Sequence, residues 1–158
     1  HVEQLIEENH LRWDSLGEFL AIAVSIEDYA VKSGDKKIKV LADALNAANG
    51  KILLLDKSPS RDVGELDNRG SHFYLSLYWA EALATQTEDT DLQKTFKPIY
   101  DKLLSNEEKI ISDLNGIQGK KADIGGYYWP DESKINSVMR PSKILNETID
   151  VLYKLNPI

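Results

Sequence analysis

Two short stretches combine side chains suited to holding an anion. Leu11-Arg12-Trp13-Asp14 sets a guanidinium, an indole and a carboxylate side by side just before a helix start. Such a junction offers a fixed fork of donors together with backbone N–H groups, which suits a phosphate. The same residues also read as plain structure, with Asp14 as a helix cap and Arg12 as a surface residue paired with Glu8. The second stretch is Ser58-Pro59-Ser60-Arg61, where an arginine among small hydroxyl residues either clamps an oxyanion or stands in solvent. If Arg12 and Arg61 meet in space, two guanidinium groups in an acidic protein make a local anion site.

Other chemistries lack their residues. The three histidines, His1, His10 and His72, form no His-x-x-x-His pair, and without cysteine there is no thiolate zinc site, thiol nucleophile or disulfide. Carboxylate pairs such as Glu7–Glu8, Glu27–Asp28 and Glu107–Glu108 sit at spacings typical of a solvated helix face rather than an acid/base couple. No Gly-x-Gly-x-x-Gly, Walker-type or Gly-x-Ser-x-Gly pattern occurs.

The elements that must position the two arginines are helical by period. Leu16, Phe19, Leu20, Ala23, Ile26 and Ala30 predict a helix from about Ser15 to Lys32, with Ser15 and Glu18 as a capping box and Ser33-Gly34 as its end. Asp35 opens a second helix through Ile38, Leu41, Ala42 and Leu45, with Gly50 as the stop. Lys51–Asp56 reads as a possible short strand, and Lys57–Gly70 as a long connection with local turns. Phe73, Tyr74, Tyr78, Trp79 and Leu83 predict a helix buried on most sides. Thr90 and Gln93 resemble a capping pair for a helix that contains Pro98, and Ile110, Ile111, Leu114 and Ile117 continue its face to Gly119. Gly125 to Pro130 is expected to be irregular and packed onto its neighbours. Asp131 caps a short helix to Met139, and Ser142 caps a last amphipathic one. The expected fold is a single, mainly α compact unit with at most a short strand, spanning residues 1–158.

Composition agrees with a packed domain. The 158 residues are 42% hydrophobic, and a chain of this length buries roughly two-thirds of the surface its unfolded form exposes. A net charge of −7, from 19 basic and 26 acidic residues, with no basic stripe, argues against a nucleic-acid partner. No apolar stretch approaches the roughly 20 residues of a membrane span, and the first residues lack the pattern of a signal peptide. The only methionine is Met139, which leads us to expect a processed product or a fragment.

The runs Glu7-Glu8-Asn9-His10-Leu11-Arg12-Trp13-Asp14, Asp67-Asn68-Arg69-Gly70-Ser71-His72-Phe73-Tyr74, Asp123-Ile124-Gly125-Gly126-Tyr127-Tyr128 and Met139-Arg140-Pro141-Ser142 resemble the carboxy-terminal part of the monomeric type of NADP-dependent isocitrate dehydrogenase. The resemblance implies the C-terminal part of a larger α/β cytoplasmic enzyme that oxidatively decarboxylates isocitrate to 2-oxoglutarate and carbon dioxide. NADP is then the hydride acceptor and Mg2+ or Mn2+ the metal. It implies that the metal and isocitrate ligands belong to segments preceding His1, so that no catalytic residue falls here, the chain alone is inactive, and the missing N-terminal part is its partner. By the same resemblance His1, Arg12, Asp14 and Arg61 match positions at the adenosine end of NADP, with Arg12 and Arg61 on the 2′-phosphate. Asp14 then contacts ribose or adenine, or holds Arg12 in place. Arg69 and His72 are expected to make structural hydrogen bonds only. The reading from another class is a stand-alone helical interaction module, indifferent to cofactor, with Gly125–Pro130 as its partner surface.

Overall fold

The structure, a computed structural model, describes residues 1–155. These form eight helices and no strand: α1 (Val2–Glu8), α2 (Leu16–Ser33), α3 (Lys36–Leu54), α4 (Asn68–Thr85), α5 (Thr90–Ser105), α6 (Glu107–Gly116), α7 (Glu132–Met139) and α8 (Lys143–Leu155). No helix among the described residues is long and apolar enough to cross a membrane.

The aromatic helix is the centre. α4 buries Phe73, Tyr74, Leu75, Leu77, Tyr78 and Leu83, because it lies between α3 and α5, while α2 packs on α3. Phe19, Leu45, Ile52, Leu103, Ile110 and Leu114 complete the main core around it. The fit is tight at the start of α4: a Cβ on Gly70 would collide with the Leu66 Cδ1, so a larger residue there would force the Leu66 side chain to move.

α3 corrects two expectations. Gly50 does not stop it, and Lys51–Asp56 is no strand; the helix runs to Leu54 and Leu55 N–H still donates to the Lys51 carbonyl at 3.0 Å. Ile52 continues the buried row of Leu45 and Ala48 at spacings of four and seven, and Lys51 reaches Glu81 on α4, so tertiary contacts carry the helix past its glycine. The chain turns away only at Asp56, which takes a left-handed conformation.

Cap assignments also shift. Asp89, not Thr90, caps α5 by accepting from Leu92 N–H at 2.9 Å. The Ser15–Glu18 capping box does not form: Ser15 makes no side-chain cap bond, and its hydroxyl accepts instead from Asn68 Nδ2 at 2.8 Å. The apolar face predicted to run to Gly119 is split at Asn106, where α5 ends and α6 begins. α1 was not predicted, since Leu5 is its only buried residue and gives no period to read.

A smaller apolar cluster joins Leu5 of α1, Leu11, Trp13, Ile124 and the α7 residues Ile135, Val138 and Met139. It seats the segment that carries Arg12. Beyond it the Gly125–Pro130 segment is irregular, as expected, but its aromatics are not packed: Tyr127, Tyr128 and Trp129 are 57%, 85% and 91% exposed. The loop itself is closed by Asp131 N–H donating to the Ile124 carbonyl at 2.7 Å and by Gly125 N–H donating to Asp123 Oδ1 at 2.9 Å. Gly125 has φ +86°, and a Cβ there would lie 2.7 Å from the Asp131 Cβ.

Candidate functional site

The segment between α1 and α2 carries two of the four predicted site residues, Arg12 and Asp14, and His1 stands at the start of α1. α1 ends at Asn9 in a left-handed conformation, which throws the chain into an extended run through Asp14. Along that run burial falls off stepwise: His10 and Leu11 are buried, Arg12 and Trp13 half-buried and Asp14 exposed. The run is pinned to the start of α4 by Asn68 N–H to the Leu11 carbonyl (2.9 Å), Leu11 N–H to Asp67 Oδ2 (3.3 Å) and Asn68 Nδ2 to the Trp13 carbonyl (2.6 Å).

A buried ion pair fastens this junction. Arg69 spends every donor of its guanidinium: Nε and Nη2 on Asp67 Oδ2 (2.9 and 2.5 Å), Nη1 on Asn9 Oδ1 (2.9 Å) and the Val138 carbonyl (2.8 Å), and Nη2 also on the Asn9 carbonyl (2.7 Å). Five donors thereby tie the end of α1, the start of α4 and α7 together. His72 Nδ1 lies 2.7 Å from the Asn68 carbonyl, and its ring meets Phe19 edge-on. Both residues fill the structural role expected of them.

Arg12 is held from α1. Its Nη2 pairs with Glu8 one turn back, and the Gln4 amide, oriented to suit its neighbours, accepts from Arg12 Nε at 2.9 Å. Asp14 accepts from Leu16 N–H at 2.9 Å and so caps α2, leaving Arg12 to Glu8. His1, at the head of α1, meets the Trp13 ring at a tilt, with centroids 4.9 Å apart and planes 56° apart. His1 and Arg12 therefore lie on α1 and the adjoining run, with Asp14 two residues beyond.

Arg61 sits in a compact loop, not a slack one. Ser60 N–H donates to the Leu66 carbonyl (2.7 Å), Glu65 N–H to the Asp62 carbonyl (3.2 Å) and Ser60 Oγ to Glu65 Oε2 (2.5 Å). Arg61 itself is exposed and makes no ion pair or hydrogen bond among the described residues. The loop is joined to the Arg12 segment through a side chain that sequence reasoning passed over. His10, fully buried, has Nε2 2.9 Å from the Ser60 carbonyl and Nδ1 2.6 Å from Gln118 Oε1. Gln118 Oε1 also accepts from Gly64 N–H (2.7 Å), and its Nε2 donates to the Glu65 carbonyl (2.9 Å). The residue two before Arg12 thus touches the residue just before Arg61. The partners lie 50 and 108 positions away, so no local pattern announces them.

A closed seam, without room for a water molecule, runs between Asp14–Phe19 and Lys57–Pro59, and neither Arg12 nor Arg61 lines it. Outside that seam, Arg12, held by Glu8 and Gln4, lies near His1 and Trp13 at the α1 end, and Arg61 stands exposed on the neighbouring loop. That donor set fits a phosphate joined to an aromatic heterocycle. No three acidic or histidine side chains among the described residues cluster to hold a metal ion.

A family model described as monomeric isocitrate dehydrogenase matches residues 1–150. The chain is 55% identical over 152 residues to isocitrate dehydrogenase [NADP] 2 of Colwellia maris, an overlap of 96% of this chain and 20% of that protein. It is 58% identical over 149 residues to isocitrate dehydrogenase [NADP] 2 of Psychrobacter sp. (strain 13A), covering 94% and 20%. With isocitrate dehydrogenase [NADP] of Corynebacterium efficiens it shares 54% over 154 residues, covering 98% and 21%. The chain spans about one fifth of the length of the curated relatives it matches.

Proposed function

The chain belongs to the monomeric isocitrate dehydrogenase family, and from that premise we propose that it is the carboxy-terminal part of an enzyme that oxidatively decarboxylates isocitrate with NADP, supplying the surface that grips the adenosine end of the cofactor. The observation that carries this reading is the hydrogen-bonded junction between the Arg12 segment and the Arg61 loop, made through His10 and the Ser60 carbonyl. The two guanidinium side chains lie on abutting segments that also carry Glu7, Glu8, Asp14, Asp62 and Glu65, so what they offer an anion is directed donors and not a basic field.

On this reading Arg61 and Arg12 hold the 2′-phosphate, Arg12 exchanging Glu8 for the incoming dianion, while His1 and Trp13 flank the ribose or adenine. NADP supplies the hydride acceptor; the arginines act on binding and not on the reacting carbon. A divalent ion would take its ligands from outside the described residues, where the isocitrate site also lies, so the chain alone has no turnover. The cytoplasm is the compartment we assign to the parent enzyme.

Calorimetric titration of the chain with NADP and NAD tests the reading directly. Measurable binding of NADP, weaker binding of NAD, and loss of the difference in Arg61→Ala support it. In the full-length enzyme Arg61→Ala raises the KM for NADP far more than it lowers kcat, since the phosphate is remote from the hydride. Equal binding of both nucleotides, untouched by Arg12→Ala and Arg61→Ala, would favour an interaction module instead.

A further inference from the structure

The partners of the His10 ring are one amide oxygen and one backbone carbonyl. Gln118 is fixed with its oxygen toward the ring, because that oxygen accepts from Gly64 N–H while the amide nitrogen donates to the Glu65 carbonyl. Turning the amide over would set nitrogen against N–H and oxygen against a carbonyl. The Ser60 carbonyl can only accept. His10 therefore faces an acceptor from each ring nitrogen, at 2.6 and 2.9 Å, with its side chain shut off from water. A neutral imidazole has one N–H and one lone pair, and in this site the lone pair would press against an oxygen. Protons on both nitrogens satisfy both contacts and leave a positive charge inside.

We infer that His10 is a specificity-determining positioning residue, a doubly donating imidazolium clasp that fixes the Arg61 loop against the Arg12 segment and so holds the two guanidinium groups in register for a 2′-phosphate. The inference rests on the NADP reading given above. Of the charged groups on the elements around the ring, Glu8 pairs with Arg12, Asp67 with Arg69, Glu65 with the Ser60 hydroxyl and Asp113 with Lys109, while Asp62 and Arg61 make no side-chain bond among the described residues. None of them bonds to the imidazole, whose partners are the Gln118 and Ser60 oxygens. An NAD molecule, which lacks the phosphate, gains nothing from that register.

The test uses the full-length enzyme carrying this sequence, labelled with 15N-histidine. The inference expects one imidazole to show two slowly exchanging N–H signals that disappear in His10→Gln and shift in Gln118→Ala. A single N–H on that ring overturns it, and this spectrum of the unsubstituted enzyme decides the matter even if His10→Gln folds poorly. In kinetics, His10→Gln should raise the KM for NADP about tenfold, the scale of losing a charge-assisted hydrogen bond, with kcat and the KM for NAD unchanged. If Arg61→Ala raises the NADP KM while His10→Gln does not, the clasp is refuted and the NADP reading stands. If neither Arg12→Ala nor Arg61→Ala moves it, that reading falls and the specificity role of His10 with it.

Discussion

The Arg69 guanidinium lies on the Asp67 carboxylate, 2.5 Å from Nη2 to Oδ2, with side chains only 3% and 0% exposed. Asp67 also caps α4 by accepting from Arg69 N–H at 2.9 Å. One carboxylate therefore serves a charge, a helix end and, through Leu11 N–H, the Arg12 segment. Removing one member of such a pair strands the other as a buried charge, at about 3–5 kcal/mol. Asp67→Asn and Arg69→Met should each lose stability on that scale in urea unfolding. Arg69→Lys should not recover it, because a lysine cannot reach Asp67, Asn9 and Val138 in one plane. Variants within 1 kcal/mol of the parent chain would contradict this assignment.

On the proposed reading Glu8, which pairs with Arg12, would compete with the phosphate for it. Glu8→Gln removes the competing charge while keeping the length of the side chain. Exposed ion pairs contribute up to about 1 kcal/mol, so NADP should bind roughly two- to fivefold tighter to this variant. Titration with NADP at low salt measures it. An unchanged dissociation constant would mean that Arg12 does not take part in holding the phosphate.

Two glycines should respond to alanine in opposite directions. Gly50 lies inside α3 with nothing within 4 Å of the added carbon, so Gly50→Ala should stabilise the chain by about 0.5–1 kcal/mol. Gly125 has φ +86° and its new Cβ would meet Asp131 at 2.7 Å. Gly125→Ala should loosen the 123–131 loop, read as faster amide exchange at Asp131.

Alkaline pH should unfold the protein in part through its central helix. Burial, and then Glu107 and Glu81, push the Tyr78 phenol from 10.0 up to about 12; burial and a hydrogen bond to Glu107 push Tyr74 in the same direction. The folded state thus favours the protonated phenols. Their contribution is complete below pH 10 and is lost as pH rises from there toward 12. Denaturation midpoints measured from pH 9 to 12 should fall, and the fall should be shallower in Tyr78→Phe. A flat profile in the parent chain would remove burial of these phenols as the cause.

The readable parts of this fold are those whose cause is local. α2 ends at Gly34, α7 begins after Asp131 and α8 after Ser142, each announced by its own residues. α3 overran Gly50 because Ile52 and Lys51 find partners on α4, which a single glycine cannot outweigh. The site divides the same way. Arg12 and Arg61 stand out by charge, whereas the bonds joining their segments depend on Gln118 and His10, whose pairing exists only after the chain has folded.

Trp129 is 91% exposed while Trp13 and Trp79 are partly enclosed. An indole in water emits at longer wavelength than one in an apolar setting, so the red edge of the fluorescence spectrum belongs mainly to this one residue. Any surface that settles on the 127–129 tip will move that edge toward the blue, giving the molecule an optical gauge of coverage without an added dye.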